Sequence, residues 1–219
     1  MNLTKAHKFL GSLASNNNKE WMDAHRDEYQ KARDEFIAFI DSLIQGLSAT
    51  DPELAGVSAK SCIFRINRDI RFSKDKSPYK TNFGASIGPG GRHSSASYYF
   101  HLTPGNNFIG GGIYMPPADV LKKIRQEIDY NAGDLKKILQ DPSFKKAYGD
   151  LHEVDKLKTA PKGYPKDHPE IELLKHKSFI VLHQVTDHEA TKEGFEKEAL
   201  EYLKIMKPFR DYLRVATSD

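Results

Sequence analysis

The sequence predicts an α+β fold in one domain over residues 1–219, with a mainly antiparallel, curved sheet packed against N-terminal and C-terminal helices. Three observations predict it. Apolar residues recur every three or four positions before residue 50 and again from Phe195 to Met206, the period of a helix with one buried face. Between residues 81 and 115 the pattern changes to alternation punctuated by Gly and Pro, the mark of strands joined by turns. With 219 residues, 38% hydrophobic and 29% charged, the chain can bury a sizeable core and is not disordered in composition.

In chain order, Thr4 is placed to cap a short helix presenting Phe9, Leu10 and Leu13. Asn18 caps a long second helix, with Glu20 in its first turn. Its stripe runs through Trp21, His25, Tyr29, Ala32, Phe36, Ile40, Leu43 and Leu47. A histidine on such a stripe reads first as a hydrogen-bonded core residue. Strands are predicted over residues 81–87, 97–103 and 107–115, joined by turns at 88–92 and 104–106. The glycine triplet 110–112 demands either sharp sheet curvature or the close approach of a ligand or of the cationic segment's bulky side chains, and curvature is the favoured reading. Helices follow around Leu121, Ile124 and Ile128, around Leu135, Ile138 and Leu139, and from Asp141-Pro142 to Gly149. Residues 150–169 form a long connection, readable as a cationic flap with Tyr164 available for stacking or as a solvated loop. Residues 178–183 are apolar on both parities and predict an interior strand. The last helix carries Phe195, Ala199, Tyr202, Leu203 and Met206 and is expected to be interrupted at Pro208.

The positive charge is local. Residues 65–80 hold six cations (Arg65, Arg68, Arg71, Lys74, Lys76 and Lys80) and two anions (Asp69 and Asp75), a net of +4. The whole chain has 33 basic and 30 acidic residues, so the remainder has 27 against 28, a net of −1. Cys62, Phe64, Ile66, Ile70 and Phe72 fall on one parity and Arg65, Asn67, Asp69 and Arg71 on the other, which predicts a half-buried strand or two short strands in line. Arg68 breaks the pattern, so it either sits in a turn or points inward with a partner. Guanidinium forks and ammonium groups at this density suit phosphate or carboxylate.

The string RINRDIRFSKDKSPYKTNFG at residues 65–84 resembles the signature of a domain-of-unknown-function family of small bacterial and fungal proteins. The likeness extends to Asn16-Asn17-Asn18-Lys19-Glu20-Trp21 with His25-Arg26, to the run from Gly110 to Pro116, to the loop from Lys162 to Pro169, and to Lys207-Pro208-Phe209. It spans nearly the full length. The resemblance implies a compact intracellular domain and carries over no catalytic residue.

Function therefore has to be read from the residues. Arg65, Arg68, Arg71, Lys74, Lys76, Tyr79 and Lys80 are the candidate ligand-binding residues, for a phosphorylated or carboxylated ligand. A small anion is favoured over nucleic acid, because the acidic remainder would repel a long polyanion. A second reading is an enzyme acting on such a molecule, with Asp69 or His101 transferring the proton. A third is an internal salt-bridge network. One cysteine, Cys62, excludes an internal disulfide and a cysteine-based zinc site, and its apolar setting predicts a buried thiol. No metal and no cofactor is expected, since the nine histidines lack ligand spacing and no phosphate-binding loop is present. No apolar run reaches signal-peptide or membrane-spanning length, so a cytoplasmic location without membrane contact is expected, and the oligomeric state is left open.

Overall fold

A computed structural model describes residues 1–218. It is α+β, and its four strands form one antiparallel sheet that does not close. The elements are α1 (Thr4–Ser15), α2 (Lys19–Ala24), α3 (Arg26–Ser48), α4 (Ala59–Cys62), β1 (Phe83–Ile87), β2 (Ser97–Leu102), β3 (Asn107–Ile113), α5 (Ala118–Gln140), α6 (Pro142–Tyr148), α7 (Ile171–Leu174), β4 (Phe179–Val185), α8 (Asp187–Thr191) and α9 (Phe195–Thr217). The strand order is β1-β2-β3-β4. The chain divides into two compact units: Met1–Ser94 with Tyr99–Ile109 and Gln184–Glu201, and Ser95–Tyr98 with Gly110–His183 and the described residues from Tyr202 onward.

In the first unit, α1 and α3 pack through a cluster of aromatic rings. Phe36 lies 5.3 Å from Phe83 and 6.1 Å from Phe100, while Phe39 stacks on Phe195 at 5.7 Å. Each ring is buried, and each removes enough apolar surface to contribute about 1.5–3 kcal/mol. The alternation expected in β2 is present: Tyr98, Phe100 and Leu102 are buried, while Tyr99 and His101 are half-buried. α1 starts beyond Leu3 rather than under a Thr4 cap, and the Thr4 N–H donates to Asn2 Oδ1 at 3.3 Å. Asn18 does cap α2, accepting from the Trp21 N–H at 2.8 Å. The stripe expected to form one long helix is cut at His25, whose backbone is non-helical. Its Nδ1 lies 2.8 Å from Trp21 O, and its ring stacks on the indole at 4.1 Å.

In the second unit, the backbone is non-helical at Asn131 inside the α5 range, so the two helices expected there are present and meet at a kink, and Asp141 caps α6 by accepting from the Ser143 and Phe144 N–H groups. β4 is at the end of the sheet rather than inside it. Its doubly apolar sequence reflects cover on both faces, and part of its outer edge is taken by a loop, where the His152 N–H donates to Ile180 O at 2.9 Å. α9 continues through Pro208, so the expected interruption does not occur. The glycine triplet owes its composition to crowding by protein backbone: a Cβ at Gly110, Gly111 or Gly112 would stand 2.1, 2.2 or 2.1 Å from the carbonyl oxygens of Val181, Ser97 and Phe179. Residues 150–170 contain no regular element but are anchored within their own unit. Leu157 N–H donates to Lys175 O, Lys156 pairs with Glu153 and Glu172, and the Tyr164 ring stands edge-on to His168. The His168 ring accepts from the Glu170 N–H just before α7.

Candidate functional site

The strand expected across residues 62–72 does not form. Residues 59–62 are a turn of helix, and beyond them the chain makes two isolated antiparallel bridges, Ile63 with Ala85 and Asn67 with Tyr79. The result is an irregular hairpin arm. From the first bridge to the second, one limb advances four residues and the other six, so two residues on the return limb have no opposite number. That surplus falls between Lys80 and Gly84, since Lys80 N–H donates to Ile66 O and Phe64 N–H to Gly84 O. Cys62 and Ile66 are buried, but Phe64 is 37% and Phe72 is 95% exposed, which corrects the expected core parity. Asn17 clamps the arm from below: its amide donates to Tyr79 O at 2.9 Å and accepts from Tyr79 N–H at 3.1 Å.

Two hollows flank the arm, both within the first unit. The larger, of about 600 Å³, is lined by Tyr29 and Arg33 of α3, Lys60 of α4, Ile63, Phe64, Arg65, Ile66 and Asn67 of the outgoing limb, Lys80 of the return limb, and Arg92 and His93. Five of these residues are cations and none is a carboxylate. Among the described residues Arg33, Lys60, Arg65 and Arg92 have no ion-pair partner. Gly91 holds the Arg92 turn against α4: at φ +62°, a Cβ there would meet Ser61 O at 2.7 Å. Lys80 lies over the Phe64 ring, 5.6 Å from its centroid. Burial, and then the neighbouring Arg65 charge, push the Lys80 ammonium below its ordinary range. This cleft is therefore a positive field in which Lys60, Arg65 and Arg92 are exposed and Arg33 and Lys80 half-buried, with an apolar floor and one accessible ring.

The smaller hollow, of about 420 Å³, is lined by Ala14, Asn17, Arg68, Asp75, Ser77, Tyr79, Lys80, Thr81 and Asn82. Its one carboxylate already has partners. Arg68 pairs with Asp75 and donates to Ser77 Oγ at 2.7 Å, while Asp75 also accepts from the Ser77 hydroxyl and N–H. Those hydrogen bonds, with Arg68, hold the Asp75 carboxyl far below the usual carboxylate range. Arg68 is therefore paired, as an inward-pointing guanidinium would have to be, but with an exposed carboxylate; no turn runs through it, and its N–H donates to Pro78 O on the return limb at 2.9 Å.

The remaining sequence candidates, apart from Tyr79 in the wall of the smaller hollow, are elsewhere. Arg71 grips Asp69 with two bonds of 2.9 and 2.6 Å, and both side chains are exposed. Lys76 donates to Ile70 O, and Lys74 is exposed at the tip of the arm. Tyr79 is buried to 8% exposure, with its backbone held by Asn17. Asp69 and His101 line neither hollow. His101 is fixed between Tyr99 Oη at 3.2 Å and Thr103 Oγ1 at 2.9 Å and stacks on Phe108 at 4.5 Å. Burial pulls its imidazole down to about 4 and pushes the Tyr99 phenol up to about 12. Cys62 is buried, and burial pushes its thiol up. Of the predicted cations, Arg65 and Lys80 belong to the large cleft and Arg68 and Lys80 to the small hollow. Tyr29, Arg33, Lys60, Arg92 and His93 were not foreseen. Tyr29 and Arg33 stand four apart on one helix face, which places them together. The sequence does not signal their meeting with Arg65.

A family model described as "Conserved hypothetical protein (DUF2461)" matches residues 5–212. The chain belongs to this family. No curated protein and no solved structure matches it. Among the described residues, no group of three or more His, Cys, Asp or Glu side chains could hold a metal ion, and no helix is long and apolar enough to cross a membrane.

Proposed function

We propose that this member of the family is a binding module for a multiply charged phosphorylated ligand seated in the larger cleft. The observation that carries this reading is the lining itself, five cations without a carboxylate around about 600 Å³. Cations crowded at that density repel one another, and a phosphate chain relieves the repulsion while accepting hydrogen bonds from the guanidinium forks. Each contact contributes about 1 kcal/mol in a water-like setting and up to about 4 kcal/mol where the effective dielectric constant is near 20. Lys80 fits the same role. Its depressed pKa returns toward normal when an anion sits beside it, so binding draws in a proton at alkaline pH and weakens as pH rises through the depressed value.

Tripolyphosphate is the probe. At a hundredfold excess over its dissociation constant, a ligand of the native state adds about 2.7 kcal/mol, a rise in Tm of roughly 5–10 °C for a chain of this size. Arg33→Ala with Arg92→Ala should lower tripolyphosphate affinity about tenfold or more by calorimetry. Arg71→Ala, at a residue held by Asp69 outside the cleft, should leave it unchanged. The absence of any thermal shift, or an equal loss in the Arg71 variant, overturns the proposal.

A further inference from the structure

The cleft leaves part of the arm unexplained. Arg71, Phe72, Lys74 and Lys76 line neither hollow, yet Phe72 is 95% exposed, and its only ring contact among the described residues is the Arg71 guanidinium 5.8 Å away. The loop has also neutralised its own acids. Asp69 is gripped by Arg71, and Asp75 by Arg68 and Ser77, which leaves the Lys74 and Lys76 ammonium groups to set the sign of the tip. Phe72 is five residues beyond Asn67 of the cleft wall, so at most about 17 Å of extended chain separates them. A compact ligand in the cleft has no use for this tip. A strand of phosphates carrying flat rings does.

We infer that the occupant is a single-stranded nucleic acid, its backbone running from the cleft of Arg33, Lys60, Arg65, Lys80 and Arg92 toward the tip, with a base stacked on Phe72. The inference rests on the phosphate-binding reading of the cleft and extends it. A groove of cations interleaved with accessible aromatic rings is how single strands are held without sequence preference, over roughly 4–16 nucleotides. Thr81 and Asn82 in the smaller hollow add neutral donors that suit sugar and phosphate oxygens. Phe64, 37% exposed on the cleft wall, offers a second ring. A rigid duplex keeps its bases inside and cannot use either ring. An anionic bilayer would engage the tip alone and leave the half-buried Lys80 unused.

The test is fluorescence anisotropy with a labelled single-stranded oligouridylate of twelve nucleotides, run beside tripolyphosphate on the full chain. The single strand should bind at least tenfold more tightly than tripolyphosphate. Phe72→Ala should weaken it about 5- to 150-fold, the loss of one stacked base, with tripolyphosphate binding unchanged. Lys74→Ala should reduce the slope of log affinity against log salt by about 0.7. Both side chains are exposed, so neither change threatens folding. If the oligonucleotide binds no better than tripolyphosphate, or Phe72→Ala has no effect, the inference falls while the cleft reading stands. If a duplex of equal length binds as tightly, single-strand selection is refuted. If neither probe binds, both readings fall. If vesicles containing anionic phospholipid bind and the oligonucleotide does not, the tip is a bilayer contact and the inference is wrong.

Discussion

Replacing Gly112 by alanine should destabilise the protein by about 4 kcal/mol. The added Cβ would stand 2.1 Å from Phe179 O and 3.0 Å from Phe209 Cε1, on a backbone with φ +114°. Cβ atoms essentially never approach a neighbour within 3.0 Å, so β3 and β4 would have to part by about 0.9 Å at this point. Parting weakens the flanking ladder bonds, at about 1 kcal/mol each for two of them, and the strained φ adds about 2 kcal/mol. Against a total stability of roughly 5–15 kcal/mol this is a large fraction. With a urea m-value of about 3 kcal/mol/M, the unfolding midpoint followed by circular dichroism should fall by roughly 1.3 M. Gly133→Ala is the matched control: no atom lies within 4 Å of its Cβ, the residue is in α5, and the change should be neutral or stabilising by up to about 1 kcal/mol. A midpoint for Gly112→Ala within about 0.3 M of the parent would refute the crowding argument.

Two other outcomes follow from the same structure. The His101 imidazole has its folded pKa depressed from 6.5 to about 4, so below pH 6.5 the unfolded chain takes a proton that the folded one refuses. Stability is therefore lost as pH falls from about 6.5 to about 4 and levels off below that, by on the order of 2 kcal/mol after discounting for partial exposure. His101→Gln should flatten this part of a pH series of urea melts, and an unchanged curve would contradict the assignment. Asn17→Ala removes both bonds to the Tyr79 backbone and should cost about 1–3 kcal/mol. In hydrogen exchange, amides of residues 64–80 should lose protection far more than those of β2. Uniform loss would mean that Asn17 does not anchor the arm.

The helices and strands were legible where local pattern and tertiary role agree. The β2 alternation, the Asn18 and Asp141 caps and the turns at 88 and 104 are statements about neighbouring residues, and they hold. The failures share a cause. His25 fits a helical stripe, but its backbone leaves the helical region and its ring bonds back to Trp21 O, which spacing cannot reveal. Pro208 should interrupt α9, yet packing carries the helix across it. Phe64 and Phe72 obey a strand parity, but at 37% and 95% exposure that parity does not mark a buried face. At the candidate site, the charge density of the arm pointed to the segment that borders both hollows. It could not show that Arg68 and Arg71 are answered by Asp75 and Asp69, while Arg33, Lys60 and Arg92 arrive from three other elements. Assembly of that kind depends on loop register, which carries no periodic mark.

Lys80 belongs to the walls of both hollows. One ammonium cannot give its full charge in two directions at once. Whatever draws it toward one side deprives the other, so guests on opposite sides of the hairpin should antagonise each other, equally and in both directions. Separating them would take no moving domain, only a single side chain with two places to point.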